Sequence, residues 1–526
     1  MPGKKRSFAP EQLESRQLLS GTGTGLDTDV FNFIAGYAAA ENLPLSAPAS
    51  ASHRHHAPTP RPGKGEDYDT PEDVSADVLA APPVQPLGST PPSTSTTTTS
   101  VVTSTSSGVA GMGYSDTASG AEPPDPGAAV GANQVVETVN TAIRVFSKTN
   151  LAAFATIEFS KFFASLRPLT FSDPVVAYDD QTNHWMIGIL DYGGSKSRFD
   201  LAVSKTADAT TSPTDWEMHQ VNVAESSNSI ADYPKMGWNN DAIVVSFNMF
   251  PNGRNFRQVQ VLSVNKATAE DANNSTFTYY RSDVAGGTAH FTLTPASMHG
   301  STAGGPMYMV ESLGSNMIGV MKMSNLLSSS PTYSESKIGV AAYTNPPKAS
   351  QPGGSYPIDT VGPRIFQADW RNNRLVSAHT IGLATDSLTH AQWFDFSTAN
   401  NAVTLNQQGI VSPTFNGMPV NAFFPTVGVD ASGDLGMDYA ESGSNEYWSA
   451  YATGQLAADA GSGAMQPAVL MQAGNAVYTG SRGGDYSEIG VDPSDGRTFW
   501  MANEYKPSNN FWGTAVGSFT VSVVPP

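Results

Sequence analysis

Between Asp232 and Phe250 the chain reads DYPKMGWNNDAIVVSFNMF: a short alternating run (KMGW), a polar turn (Asn239-Asn240-Asp241) and a longer, almost continuous apolar run (AIVVSFNMF). Two β-rich runs flanking Asn and Asp predict a hairpin. The pattern returns along the rest of the chain. With the residue that ends the first run taken as an anchor, it recurs at Asp179, Asp369, Asp430 and Asp492, and more loosely at Asn133 and Gly305. Successive anchors, Asn239 included, lie 46, 60, 66, 64, 61 and 62 residues apart. That period is too long for one coil of a solenoid and suits a four-stranded sheet per repeat, so the pattern predicts an all-β chain built as a β-propeller.

Counted by anchors, the ring has seven four-stranded blades, with six as the alternative. The first interval is short and only 34 residues follow Asp492. One chain end is therefore expected to complete a sheet begun by the other, which removes an exposed edge, and the first repeat is the segment expected to share a blade with the last. A second regularity lies inside the repeat. Two residues before the anchor stand Ala177, Gly237, Gly428 and Gly490, and Gly131 when the first repeat is aligned on its Val-Gly; Gln367 is the exception. A large apolar residue precedes each of them (Val176, Met236, Val427, Ile489, Val130, and Phe366 before Gln367). Small and large residues in alternation suit a crowded inner strand packed on both faces.

The pattern is missing before about Gly120, so residues 122–526 are assigned to the propeller and 21–121 to a disordered linker rich in Ser, Thr and Pro, with one short helix expected over 29–43. His53, His55 and His56 lie in this linker, where three imidazoles are a weak metal signal. Charged residues make up only 14% of the chain, with 48 Gly and 37 Pro, a composition that fits short strands joined by turns. The net charge of −19 argues against nucleic acid, which is bound by neutralising phosphates. No window is apolar enough for a transmembrane helix. There are no cysteines, so the core must be held by packing alone.

Residues 1–20, MPGKKRSFAPEQLESRQLLS, lack the apolar core of a standard signal peptide. Their LESRQLLS resembles the LExRxLLS segment that opens many large planctomycete surface and secreted proteins, and this resemblance implies export or placement in the cell envelope. A second resemblance begins at PPDPGAAVGANQVVETVN. With DPVVAYDDQTNHW at Asp173–Trp185 and DYPKMGWNNDA at Asp232–Ala242, it looks like the repeats of secreted bacterial β-propeller proteins of unassigned activity. It spans roughly 123–524 and implies a fold and an extracellular or envelope location.

In a propeller, residues just ahead of each inner strand converge on one mouth of the central channel. Asp173, Asp232, Tyr233, Lys235, Arg364, Asp485, Tyr486 and Glu488 stand there and form the candidate binding site, a polar pocket for a sugar or an ion, unless these groups only satisfy strand ends. No residue is assigned a catalytic role. The alternative is a sialidase-like glycoside hydrolase. Sialidases resemble this chain in being propellers; the resemblance would make Arg198, Arg364 and Arg482 the carboxylate clamp, Tyr486 and Glu488 the nucleophile and its activator, and Asp232 the acid/base. The Asp box of that family, SxDxGxTW, is not reproduced at Ser494–Trp500, where SDGRTFW sets Ser and Asp side by side. There is no GxSxG, HExxH or Walker sequence, and Gly21-Thr22-Gly23-Thr24-Gly25 has no preceding strand.

The acidic turns at Asp179-Asp180, Asp430–Asp434 and Asp492–Gly496 suit either Ca²⁺ or plain hairpin geometry. Trp370, Trp393, Tyr447 and Trp448 suit sugar stacking or blade packing. The sequence thus points to a secreted or envelope propeller that binds a glycan or a surface protein. Glycoside hydrolysis is the alternative. A purely structural envelope component is preferred if the mouth is plugged.

Overall fold

The computed structural model describes residues 100–104, 108–117, 122–193, 196–224, 229–251, 255–271, 277–480 and 482–523. The leader-like segment, the helix expected over 29–43 and His53, His55 and His56 lie outside them. The regular structure of the described chain is almost all strand, and its α-helices are single turns at Phe159–Phe162 and Lys266–Ala269.

The fold is a β-propeller. By strand pairing, the described strands fall into six four-stranded groups and a last one of five, beside a small hairpin of Thr414–Phe415 with Met418–Pro419; the inner strands of the seven groups are Gly127–Val130, Thr170–Asp179, Ile230–Trp238, Thr294–His299, Ile365–Arg371, Asn421–Val429 and Glu488–Val491. Each inner strand lies against the next, and the last lies against the first. Where neighbouring inner strands touch in register they run parallel (Trp238 beside Ser297, Ser297 beside Asp369), so their starts share one end of the channel and their hairpins the other.

Separate hydrophobic cores fill the gaps between sheets. Val136, Phe162, Phe171 and Trp185 join the first sheet to the second, and Val427, Val376, Trp393 and Met437 join the fifth to the sixth. Trp393 and Trp448 are fully buried, which answers the sugar-stacking question for both. The glycine of the repeat also has a reason. A Cβ on Gly237 would stand 2.4 Å from the carbonyl oxygen of Ala296, because the neighbouring inner strand passes that close.

Four expectations are corrected. The first run of the central hairpin is nine residues, Ile230–Trp238, and contains a bulge in which Tyr233 and Pro234 face one residue of the partner strand. The same bulge recurs at Asp173-Pro174 and Phe424-Pro425, each time with the residue before proline left-handed (φ 57° at Asp173, 54° at Tyr233, 53° at Phe424). Proline cannot donate to a ladder, and a bulge removes the need.

In the fourth sheet the inner strand is Thr294–His299, and the run anchored on Gly305 is its second strand, Met307–Ser312.

The linker boundary also moves. Ser100–Ser104 pairs antiparallel with Gly513–Val523 as the outermost strand of the last sheet, and Val109–Gly113 pairs with the same strand. Closure is therefore made by a segment assigned to the linker. The first repeat, expected to share a blade, keeps a four-stranded sheet of its own.

Candidate functional site

The bulges at Asp173-Pro174, Tyr233-Pro234 and Phe424-Pro425 lie near the starts of their inner strands, and the side chains expected at the mouth meet at that end. They meet as a packed cluster. Lys235 is 2% exposed; its Nζ lies 3.4 Å from the ring centre of Tyr486, 4.1 Å from that of Tyr233 and 5.1 Å from that of Phe366, and it makes no hydrogen bond. Burial pushes the amine down to about 7, against the pull of Asp173, Asp125, Asp485 and Glu488.

The phenols are engaged as well. Tyr486 donates to Oδ2 of Asp173 at 3.1 Å, and Tyr233 donates to the Asp485 carbonyl at 2.8 Å. Burial, then the Asp173 charge, holds the Tyr486 hydroxyl well above its ordinary range. Arg482 pairs with Asp485, whose carboxyl is raised by burial. Arg364 lies over the rings of Tyr233 and Phe291. Glu488 lines the channel and is pushed up to about 8 by burial. Asp232 is half-buried opposite Asn248, near enough to act on Tyr486.

Loops close this end. Ala349, Ile358 and Tyr478, from these loops, and Trp448, from the strand Glu446–Gln455, share one hydrophobic core with Tyr233, Phe366 and Tyr486. Gln351 ties the two covering loops together, donating to the Tyr478 carbonyl at 2.7 Å and accepting from the Tyr478 amide at 2.8 Å. The expected polar pocket is thus filled by its own side chains.

Within the channel the exception in the repeat acquires a role. Gln367 stands where other inner strands carry Gly or Ala, and its amide reaches past the sixth sheet to the seventh, donating to the Ile489 carbonyl at 2.6 Å and accepting from the Ile489 amide at 2.9 Å. It bolts two non-adjacent inner strands together. A cavity continues beyond it, lined by Ala128, Val176, Ser297, Asp180, His299 and Asp369 among others.

At the hairpin end the chemistry changes. His299 Nδ1 lies 2.8 Å from Asp180 Oδ2, and Nε2 lies 3.2 Å from Asp369 Oδ1. Burial pulls the imidazole down, but Asp369 and Asp180 outweigh it and push it up to about 9. Arg371 stands 3.8 Å from Asp180, whose carboxyl is held below its ordinary value mainly by His299, against the upward push of burial. This imidazolium between two carboxylates was missed. The residues are 119 and 70 positions apart, and the only sequence signal is that all sit at inner-strand ends.

The acidic turns serve the backbone. Asp179 Oδ1 accepts from Gln181, Asp430 Oδ1 from Ser432 and Asp434, and Asp492 Oδ1 from Ser494, each at 2.8 Å. Asp179 also pairs with Lys266 and Asp492 with Lys148, linking neighbouring sheets.

The three arginines of a sialidase clamp are not gathered. Arg198 is held in the outer part of the second sheet by Asp191 and Gln220, whereas Arg364 and Arg482 lie at the closed mouth. Tyr486 is bonded to Asp173 and carries a raised pKa, the reverse of an activated nucleophile.

No family model matches this chain, and no curated protein matches it. Among solved structures it is similar to the WD40 domain of SCAP from fission yeast (9% identity, 73% of this chain and 82% of that one, TM-score 0.29). It is also similar to the Dos1 propeller (10%, 73% and 75%, TM-score 0.32) and to a Trypanosoma rangeli sialidase in complex with 2,3-difluorosialic acid (11%, 67% and 54%, TM-score 0.33). Among the described residues no helix is long and apolar enough to cross a membrane.

Proposed function

We propose that this chain is a non-catalytic propeller placed outside the cytoplasm, a structural envelope component as the filled mouth favours; the second reading is a binding module that meets a glycan or a surface protein by its loops and edges, with the channel taking no part. The observation that carries this reading is the filled mouth. Every acid, phenol and cation there for which a partner is described is committed to a neighbour within the fold, and Gln367 crosses the channel behind them. Catalysis on a glycoside needs two carboxyl groups facing a shared, water-accessible substrate site. A rigid ring with its axis bolted shut suits a structural part and leaves recognition to loops and edges. The leader-like LESRQLLS and the acidic balance support a location outside the cytoplasm.

The test is the full chain on a panel of chromogenic glycosides that includes a sialoside, followed by a glycan array. A blank array with no turnover supports the structural reading, and binding to a glycan class without turnover moves the chain to the binding module. Turnover abolished by Glu488→Gln or Tyr486→Phe in folded protein overturns both in favour of the hydrolase.

A further inference from the structure

Away from the channel, the fourth sheet carries a cluster that neither reading uses. His290 precedes the inner strand Thr294–His299, Glu311 is on Met307–Ser312 and Glu335 on Thr332–Gly339. Gly319, on the intervening strand Met317–Ser324, faces Glu311 on one side and Lys337 on the other, and Met321 faces Glu335. Directly opposed residues share a face of the sheet, so both glutamates project on the side where Gly319 has no side chain. A Cβ there would stand 3.0 Å from Glu311 Cγ and 3.2 Å from Glu335 Oε1. The glycine is what lets two carboxylates close on each other in the middle of a sheet.

His290 comes over them from the adjoining loop, its Nδ1 2.6 Å from Glu311 Oε1. One ligand atom from each of the three residues lies within 4.8 Å of the others. His290 and Glu311 are buried, at 6% and 0% exposure. Oε1 of Glu335 is buried and accepts no hydrogen bond, while its Oε2 has the solvent-facing Lys337 at 3.8 Å. Two carboxylates and an imidazole held this close, with one buried oxygen unused, favour a compact cation over a shared proton.

We propose that His290, Glu311 and Glu335 form a binding site for one divalent transition-metal ion of the Zn²⁺ or Mn²⁺ class. Ca²⁺ takes six to eight oxygen ligands, and this cluster offers one nitrogen and two carboxylates, so it is disfavoured. Binding requires the neutral imidazole and displaces the proton between His290 and Glu311. With three protein ligands, a coordination position stays open to water or to a donor from a partner. The ion ties the loop ahead of the fourth inner strand to the outermost strand of the same sheet.

The experiment uses the full chain carrying His53→Ala, His55→Ala and His56→Ala, which removes the competing imidazoles, dialysed against a chelator and titrated by calorimetry with ZnCl₂, MnCl₂ and CaCl₂ separately. The expected result is one saturable site for Zn²⁺ or Mn²⁺, weakened at least about tenfold by Glu335→Gln, as loss of one ligand-shell contact predicts. Glu335 lies on an outer strand and is partly exposed, so this variant is expected to keep its fold by circular dichroism even where His290→Gln does not. No saturable site, tighter binding of Ca²⁺, or equal affinity in the Glu335→Gln chain would overturn the assignment, the last by showing an adventitious ion only.

Discussion

The two ends of the channel solve the same problem in opposite ways. At both, charged side chains from several sheets are forced together on the axis of a ring. At the closed end the fold shelters Lys235 behind aromatic faces and lets burial drive it towards neutrality, with Glu488 pushed up to about 8. At the hairpin end His299 keeps its proton because Asp180 and Asp369 flank it. At the closed end Lys235 and Glu488 lose charge by titration beside a single Arg482–Asp485 pair, whereas at the hairpin end the charge is balanced by pairing throughout. The closed end should therefore behave as core, sensitive to shape. The hairpin end should be sensitive to charge.

The largest effect separates them by shape. Tyr486→Ala removes the ring nearest Lys235 and should cost about 3–5 kcal/mol in chemical denaturation. A loss under about 1 kcal/mol would mean the mouth is not packed as described. His299→Gln keeps much of the volume but strands Asp180 and Asp369, and about 2–3 kcal/mol is expected, below the full cost of a buried pair because Asp180 is 22% exposed. An equal loss at low and high pH would contradict the charge argument. Gln367→Ala leaves the Ile489 amide and carbonyl without their partner, at about 1–3 kcal/mol, and hydrogen exchange at Ile489 should accelerate with it.

The pH dependence sharpens the comparison further. His299 and Glu488, with Asp438 and Glu441 buried on the sixth sheet's second strand Leu435–Gly443, all have folded pKa values above their ordinary ones, so at these groups the folded state holds more protons than the unfolded chain. Their stabilisation is complete below the ordinary carboxyl and imidazole values and is lost as pH rises through about 8 and 9, so the melting temperature should fall between about pH 5 and pH 9. Lys235 acts with the opposite sign. Its folded pKa of about 7 is depressed, so the cost of burying it fades as pH rises from there towards 10.5. Lys235→Met removes that penalty and should stabilise the fold near neutrality, by up to a few kcal/mol, with the gain shrinking as pH rises towards 10.5, which makes the fall above pH 7 steeper. A shallower fall would overturn the assignment of that lysine.

Much of this architecture can be read from the chain itself. The Asn and Asp anchors mark hairpin turns because their side chains cap the turn amides, and the Gly before them marks the close approach of inner strands. The positions expected at the mouth do converge. Their packing was not legible, because no local signal says that Lys235 lies between Tyr233 and Tyr486, 253 residues apart in sequence at their extremes. The bulges had a signal, the proline that follows Asp173, Tyr233 and Phe424, but strand length read from apolar alternation stops at it. Ser100–Ser104 was absorbed into a Ser/Thr tract by composition, although Val101, Val102 and Thr103 are strand formers that needed only an edge to pair with. The pairing of His299 with Asp180 and Asp369 depends wholly on ring closure.

That closing strand sets how the molecule bears load. Ser100 pairs with Val523 and Ser104 with Phe519, so the outer end of the added strand sits beside the outer end of the strand it joins. Tension applied between these two ends does not shear the five paired residues together. It peels them one after another, starting at Ser100, and the first part to yield is the seam that completes the last sheet, while the other six sheets feel no pull.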